Sequence, residues 1–85
     1  MKIALLIGAS GSTKEGPTVP LGSGKFKLVC QSLKDSVFDV VYDNGMRRKL
    51  VPDMIIEGPS NIKLQMLRPG TERNEICVYA LQEGD

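Results

Sequence analysis

A glycine-rich segment near the start of the chain has the spacing of a phosphate-binding loop. Residues 7–14 read Ile-Gly-Ala-Ser-Gly-Ser-Thr-Lys and follow a short apolar run, as at the start of a dinucleotide-binding unit. Such a site needs a helix directly after the loop, because the amides and dipole of the helix N-terminus hold the phosphate. Gly16-Pro17 and then Pro20 follow instead, and they are incompatible with that helix. We therefore interpret residues 10–16 as a surface loop.

A second segment contains only the end of a P-loop motif. Gly22-Ser23-Gly24-Lys25 matches the Gly-Lys step, but the first glycine of the motif would fall at Val19 and the hydroxyl residue at Phe26. The segment is interpreted as a turn that leads into a strand.

The composition lacks the residue that most often serves in acid–base catalysis and in activating a nucleophile. The sequence contains no histidine, which is the usual general base and the commonest metal ligand. No serine or cysteine therefore has the histidine partner that would activate it. The carboxylates are scattered, and their spacing predicts no pair. We predict a protein that is not an enzyme and that binds neither a cofactor nor a metal.

Charge and cysteine content limit the class of partner. The chain has 11 Lys and Arg against 10 Asp and Glu, so it has no general attraction for nucleic acid or an anionic membrane. Cys30 and Cys77 lie in apolar runs and are predicted to be reduced, buried core residues. The apolar run at residues 3–7 is too short for an export signal or a membrane span. We expect a soluble protein made in a cytosol.

One basic cluster, Arg47-Arg48-Lys49, is a candidate binding surface. In a strand, Arg47 and Lys49 would share one face and Arg48 would point to the other. A nucleic-acid surface usually adds aromatic side chains for stacking, and the sequence has only two Phe and two Tyr. Nucleic acid is thus an unlikely ligand, and an acidic protein surface fits the cluster better.

The pattern of the chain predicts strands throughout. Apolar and polar residues alternate at Phe26-Lys27-Leu28, and no window has helical spacing without a glycine or proline in it. Asn44-Gly45 predicts a tight hairpin turn with both residues at positive φ. Two prolines place residues 18–21 in an edge strand. The predicted strands cover residues 3–7, 18–21, 25–31, 38–42, 46–51, 54–57, 62–66 and 76–81.

These elements predict a single all-β domain over residues 1–85. Seven or eight short strands with turn signals between them are typical of a small antiparallel β-sandwich or barrel.

The order of the segments is similar to that of a known group of proteins. A short apolar strand is followed by a loop rich in Ser, Gly and Thr, and then by a valine-containing strand at residues 19–21. Next come Gly-Ser-Gly-Lys-Phe at residues 22–26, the hairpin at 43–45, and Leu-Arg-Pro-Gly at 67–70 before the last strand. Across nearly its whole length the chain resembles small structural proteins of bacteriophage virions.

The resemblance implies a decoration or cement protein, with many copies bound to a phage capsid. Head-fibre and tail-associated proteins are similar, so the position in the virion stays open. A free-standing small β-barrel that binds a peptide or an oligonucleotide is the alternative. If the resemblance holds, the protein is made in the host cytoplasm, forms homo-oligomers or covers a shell, and needs no membrane. The predicted partner contacts are Ser12, Thr13, Lys14, Thr18, Val19, Arg47, Arg48 and Lys49.

Overall fold

The protein folds into one antiparallel β-sheet. The computed structural model describes residues 2–9, 15–70 and 75–83, and no helix occurs among them. The sheet order is β1-β6-β2-β5-β3-β4. The all-β prediction is confirmed, but the described residues form six strands rather than seven or eight short ones. These strands are β1 (Lys2–Ala9), β2 (Val19–Gln31), β3 (Val37–Tyr42), β4 (Arg47–Lys49), β5 (Ile55–Arg68) and β6 (Glu75–Gln82).

The turns predicted between strands at residues 22–24 and 58–61 together form one corner inside a pair of long strands. Gly24 of β2 pairs with Gly58 of β5, and the register shifts between Leu21 and Gly24, as at a β-bulge. A Cβ on Gly58 would lie only 1.7 Å from the carbonyl oxygen of Gly22. The peptide bond from Gly58 to Pro59 is cis. A bulge bends its strand, and glycine allows the two backbones to approach closely, so both strands continue through the corner.

The corner divides β2 into two parts with different neighbours. Residues from Val19 to Lys27 pair with β5, whereas pairing with β6 begins only at Phe26. Pro20 therefore lies where β2 has a hydrogen-bonded neighbour on one side only, so its missing N–H is tolerated. The predicted edge strand at residues 18–21 is wrong as a separate element, because residues 19–21 are the first part of β2.

The core occupies one face of the sheet. Alternate residues of β5 and β6 are buried, so the buried side chains all lie on one face. No second layer covers that face among the described residues, and the sheet itself curves around the core. Gly16, ahead of β2, is buried against the carbonyl oxygen of Leu5 in β1 and donates its N–H to the Leu64 oxygen at 2.9 Å. The sheet thus folds over its own core. The core residues are Leu5, Leu6, Leu21, Phe26, Leu28, Phe38, Val40, Leu50, Ile56, Ile62, Leu64, Ile76, Val78 and Ala80.

The predicted hairpin joins β3 to β4, but its turn differs from the prediction. Gly45 has a φ of 89°, whereas Asn44 is not among the residues with positive φ. The Gly45 N–H donates to the Tyr42 oxygen at 3.0 Å, and the Tyr42 N–H donates to the Met46 oxygen at 2.9 Å. This is the three-residue hairpin in which a type I turn precedes a left-handed glycine. Asn44 stabilises it by accepting the Met46 N–H on Oδ1 at 2.9 Å.

Candidate functional surfaces

The sheet brings together predicted contacts that are distant in sequence. Thr18 directly precedes β2, and Val19, the first residue of β2, packs against the core and pairs with Ile62 of β5. The next residue of β5, Lys63, pairs with Val41 of β3, which pairs with Arg47 of β4. Thr18 and Arg47 therefore lie on one outer surface, separated by two strands. The remaining predicted contacts Ser12, Thr13 and Lys14 lie outside the described residues.

A shallow groove of about 250 Å³ runs across this surface. Asp43 and Asn61 fix one wall, because Asn61 Nδ2 donates to Asp43 Oδ2 at 3.0 Å and the Asp43 N–H donates to the Asn61 oxygen at 3.2 Å. These two hydrogen bonds connect the hairpin tip to β5, so this wall of the groove is stabilised by a backbone bond as well as a side-chain bond. Its lining residues are Thr18, Val41, Tyr42, Asp43, Gly45, Asn61 and Lys63.

Ion pairs cover much of the surface around the groove. Lys63 Nζ lies 2.7 Å from Glu15 Oε1, and Arg47 Nη1 lies 3.4 Å from Asp39 Oδ2. Pairs with such exposed partners each contribute at most about 1 kcal/mol of stability. Lys49 lies next to Asp39 in register but makes no ion pair with any residue in the described ranges. We call this surface, formed by Thr18, Asp39, Arg47, Lys49 and Lys63, the charged face.

Arg48 points to the opposite side of β4 from Arg47 and Lys49, as the alternation of a strand predicts. It pairs in register with buried Val40. Its guanidinium donates to the Ile55 oxygen at 3.4 Å and to the Tyr42 hydroxyl at 3.5 Å. Arg48 therefore bridges β5 and β3 at the open edge of the core, and it is less available to a partner than Lys49.

A second outer surface, on the other half of the sheet, is mostly apolar. Ile7 of β1 is 61% exposed, Ile55 of β5 is 40% exposed and Leu81 of β6 is 37% exposed. Strand register aligns Ile7 with Cys77, and Leu81 with Lys27 and through it with Ile55. We call this surface the apolar face. Its apolar residues are Ala4, Ile7, Val29, Ile55, Cys77, Tyr79 and Leu81.

Sequence reasoning missed the apolar face. The signal was present in β6, where Ile76, Val78 and Ala80 face the core and the intervening Cys77, Tyr79 and Leu81 are also largely apolar. The sequence has the same kind of run at residues 3–7, and a short continuous apolar run predicts a strand that is covered on both faces. The structure corrects this prediction, because β1 is an edge strand whose Ile7 is exposed.

The two cysteines lie on opposite faces of the sheet. Both are free thiols, and both are half-buried, so the prediction of full burial is wrong. Cys30 packs against the core, whereas Cys77 pairs with Ile7 and Gln31 on the apolar face. Burial raises the pKa of the Cys30 thiol to about 11, and the negative charge of Asp53 adds to this effect.

Thiol labelling should separate the two cysteines. In the native protein near pH 8, Cys77 is expected to react with a maleimide at least about 10-fold faster than Cys30, because the thiolate is the reactive form and Cys30 with its raised pKa forms little of it. The variants Cys30→Ser and Cys77→Ser each keep one thiol. Mass spectrometry of samples quenched at successive times measures the labelling rate of that thiol. Labelling of Cys30 should accelerate as the pH approaches 11 and become rapid in denaturant. Equal native rates at pH 8 would contradict the assignment of faces.

Comparisons with protein-family models, curated proteins and solved structures find no match. Within the described ranges, no three His, Cys, Asp or Glu side chains form a group that could hold a metal ion. No helix in the part of the chain that the structure describes is long and apolar enough to cross a membrane. The charged face and the apolar face are therefore the features from which a function can be argued.

Proposed function

We propose that this protein is a non-enzymatic structural component of a bacteriophage particle. It binds the capsid surface in many copies and stabilises the shell as a decoration or cement protein does. The observation that carries the proposal is that Thr18, Arg47 and Lys49 lie on one outer surface, whereas Val19 packs against the core and Arg48 points to the core side of β4. The order of segments along the chain, which resembles small virion proteins, supplies the class of partner.

The chemistry of the charged face suits an acidic protein surface. Lys49 has a charge that no described residue neutralises, and the Arg47 guanidinium, 48% exposed, shares its charge with the largely covered Asp39 carboxylate at 3.4 Å. Arginine can form paired, charge-assisted hydrogen bonds with carboxylates. β4 is also a three-residue edge strand whose residues are all exposed. A strand of the shell protein could extend the sheet there, with backbone hydrogen bonds adding to the ionic contacts.

Charge reversal on the charged face tests the proposal. Arg47→Glu combined with Lys49→Glu should weaken binding to capsids at least about 10-fold, equivalent to about 1.4 kcal/mol, because attraction becomes repulsion. Arg48 is left unchanged, since its bonds to Ile55 and Tyr42 support the fold. Co-sedimentation measures binding. Thermal melting of the capsids should occur later with the native chain than with the variant, because a ligand of the native shell stabilises it by mass action.

The matched control is Lys25→Glu with Lys34→Glu, which makes the same change in net charge away from the charged face. These side chains are exposed, and the double variant should bind capsids like the native chain. The capsids to use are those encoded beside the gene, and a neighbourhood without capsid genes would count against the proposal. Equal loss of binding in both variants would show that binding depends on net charge and not on the charged face. Absence of binding by the native chain would overturn the proposal.

The alternative is a small binding module for a peptide or an oligonucleotide. The observation that favours it is the groove, where Tyr42, Thr18 and Lys63 offer an aromatic ring, a hydroxyl and an ammonium group. Fluorescence anisotropy with a labelled single-stranded oligonucleotide distinguishes the two. Tight binding that falls steeply with salt, together with no capsid binding, would favour the module.

A further inference from the structure

We infer that the apolar face is the interface of a symmetric homodimer, a surface separate from the charged face. Three strands, β1, β6 and β2, run side by side there, and Ile55 of β5 continues the row. At about 4.8 Å between strands and about 3.4 Å per residue, the face covers on the order of 300 Å². This is the lower end of the range of about 300–600 Å² for the largest apolar patch on a monomer, and such patches are often functional.

The placement of charge on this face favours a second copy of the chain. Lys2 and Lys27 both pair in register with Leu81, so the two cations lie in one row at one end. Lys2 Nζ also lies 4.2 Å from the centre of the Tyr79 ring. The row of Ile7, Cys77 and Gln31 at the opposite end has no cation. Lys27 Nζ lies 3.9 Å from Glu83 Oε1, so Lys2 supplies the excess positive charge at this end. Glu75, two residues before Cys77 on the same side of β6, places a carboxylate at the opposite end. The face is thus polarised along the strands, basic at one end and acidic at the other.

A two-fold axis satisfies this polarity. Two copies stacked with antiparallel β6 strands would place the lysines of each over the end of the other that includes Glu75, roughly 20 Å from their counterparts. A parallel stack would bring the four lysines together, which repulsion opposes. In a two-fold dimer the same residues of both copies make the contact. One polarised face is therefore enough to form the dimer, and no second complementary surface is needed.

The two edges of the sheet support the same assignment. β4, at one edge, has three consecutive basic residues, which repel the same edge of a second copy. β1, at the other edge, is eight residues long, and within its described side chains Lys2 is the only charged residue. Its exposed Ala4 and Ile7 belong to the apolar face. A dimer would cover this unprotected half of the molecule and add apolar burial that a small domain lacks by itself.

Sedimentation velocity of the full chain tests the dimer. The native chain is expected to shift from monomer to dimer over micromolar concentrations, and Ile7→Glu should weaken the association at least about 10-fold. The matched control is Met46→Glu, because Met46 is 60% exposed and Ile7 is 61% exposed, but Met46 lies at the hairpin. Thermal melts of dilute Ile7→Glu should match those of the native chain. A monomer at all concentrations, or equal loss with Met46→Glu, would overturn the inference.

Cross-linking gives a second readout with the native thiols. In the antiparallel stack the two Cys77 residues lie roughly 15 Å apart, within reach of a long bis-maleimide. Cys30→Ser should therefore cross-link as a dimer, and Cys77→Ser should not, because Cys30 packs against the core. Ile7→Glu is also assayed for capsid binding. If Ile7→Glu loses capsid binding and the native chain does not self-associate, the apolar face is a contact with the shell instead. If Ile7→Glu loses the dimer but still binds capsids, the result supports both proposals.

Discussion

Replacing Gly58 with alanine is expected to lower the free energy of unfolding by at least about 3 kcal/mol, as severe overpacking does. The new Cβ would lie 1.7 Å from the Gly22 carbonyl oxygen and 2.8 Å from the Gly22 carbonyl carbon. Both are backbone atoms, so no side-chain rotation relieves the clash and β2 and β5 must separate at the corner. A domain of this size has roughly 4–13 kcal/mol of total stability, so the loss is a large part of it.

Urea unfolding followed by circular dichroism measures this change. The control is Gly22→Ala in the same corner, because a Cβ on Gly22 meets no atom within 4 Å and its φ is not positive. Gly22→Ala should change the free energy of unfolding by no more than about 1 kcal/mol. If Gly58→Ala is as stable as Gly22→Ala, the two strands do not approach as closely as described, and the long β2 and β5 would have to be divided at their glycines.

Phe26→Ala is expected to cost about 3–5 kcal/mol, the usual range for removing a buried aromatic ring. Phe26 is 2% exposed and occupies the point where β2 has both neighbours, pairing with Ile56 of β5 and Gln82 of β6. The ring therefore packs where the two halves of the sheet meet. Its loss leaves a cavity that the surrounding strands can fill only by moving together.

Differential scanning calorimetry and urea unfolding should both report the effect of Phe26→Ala. The loss corresponds to a drop in Tm of well over 10 °C, at about 4–8 °C per kcal/mol for a small domain. Leu67→Ala is the control, since Leu67 is 54% exposed on β5 and should change stability by about 0.5 kcal/mol or less. Similar losses for Phe26→Ala and Leu67→Ala would place the core elsewhere.

A homodimer through the apolar face would leave the charged face of both copies open. In that arrangement the apolar face would increase apolar burial in a small domain, and the charged face would stay open to the acidic shell surface that we propose as its partner. Because the face residues Ile7 and Lys49 lie in different strands at opposite edges of the sheet order, the two functions can be altered independently. The variants Ile7→Glu and Arg47→Glu with Lys49→Glu are designed to separate them.

Sequence patterns determined the class of fold and several of its local features. Alternation in residues 25–31 and 62–66 correctly predicted strands, because a two-residue period can bury one face only in extended chain. Asn44-Gly45 correctly predicted a hairpin, although the form of its turn did not follow from the dipeptide alone. The alternation of Arg47, Arg48 and Lys49 also follows from strand geometry. Each of these inferences depends on neighbours in the sequence.

Only the tertiary structure decided which turn signals were turns and which apolar residues were covered. Gly22 and Gly58 each look like the end of a strand, and they become a continuous corner because register places Gly58 opposite Gly24 and next to the Gly22 carbonyl. Similarly, Cys77 and Ile7 were predicted from apolar runs to be covered, and they face outward because the sheet curves around its other face. Pairing and curvature arise between segments distant in sequence, and no local pattern specifies them.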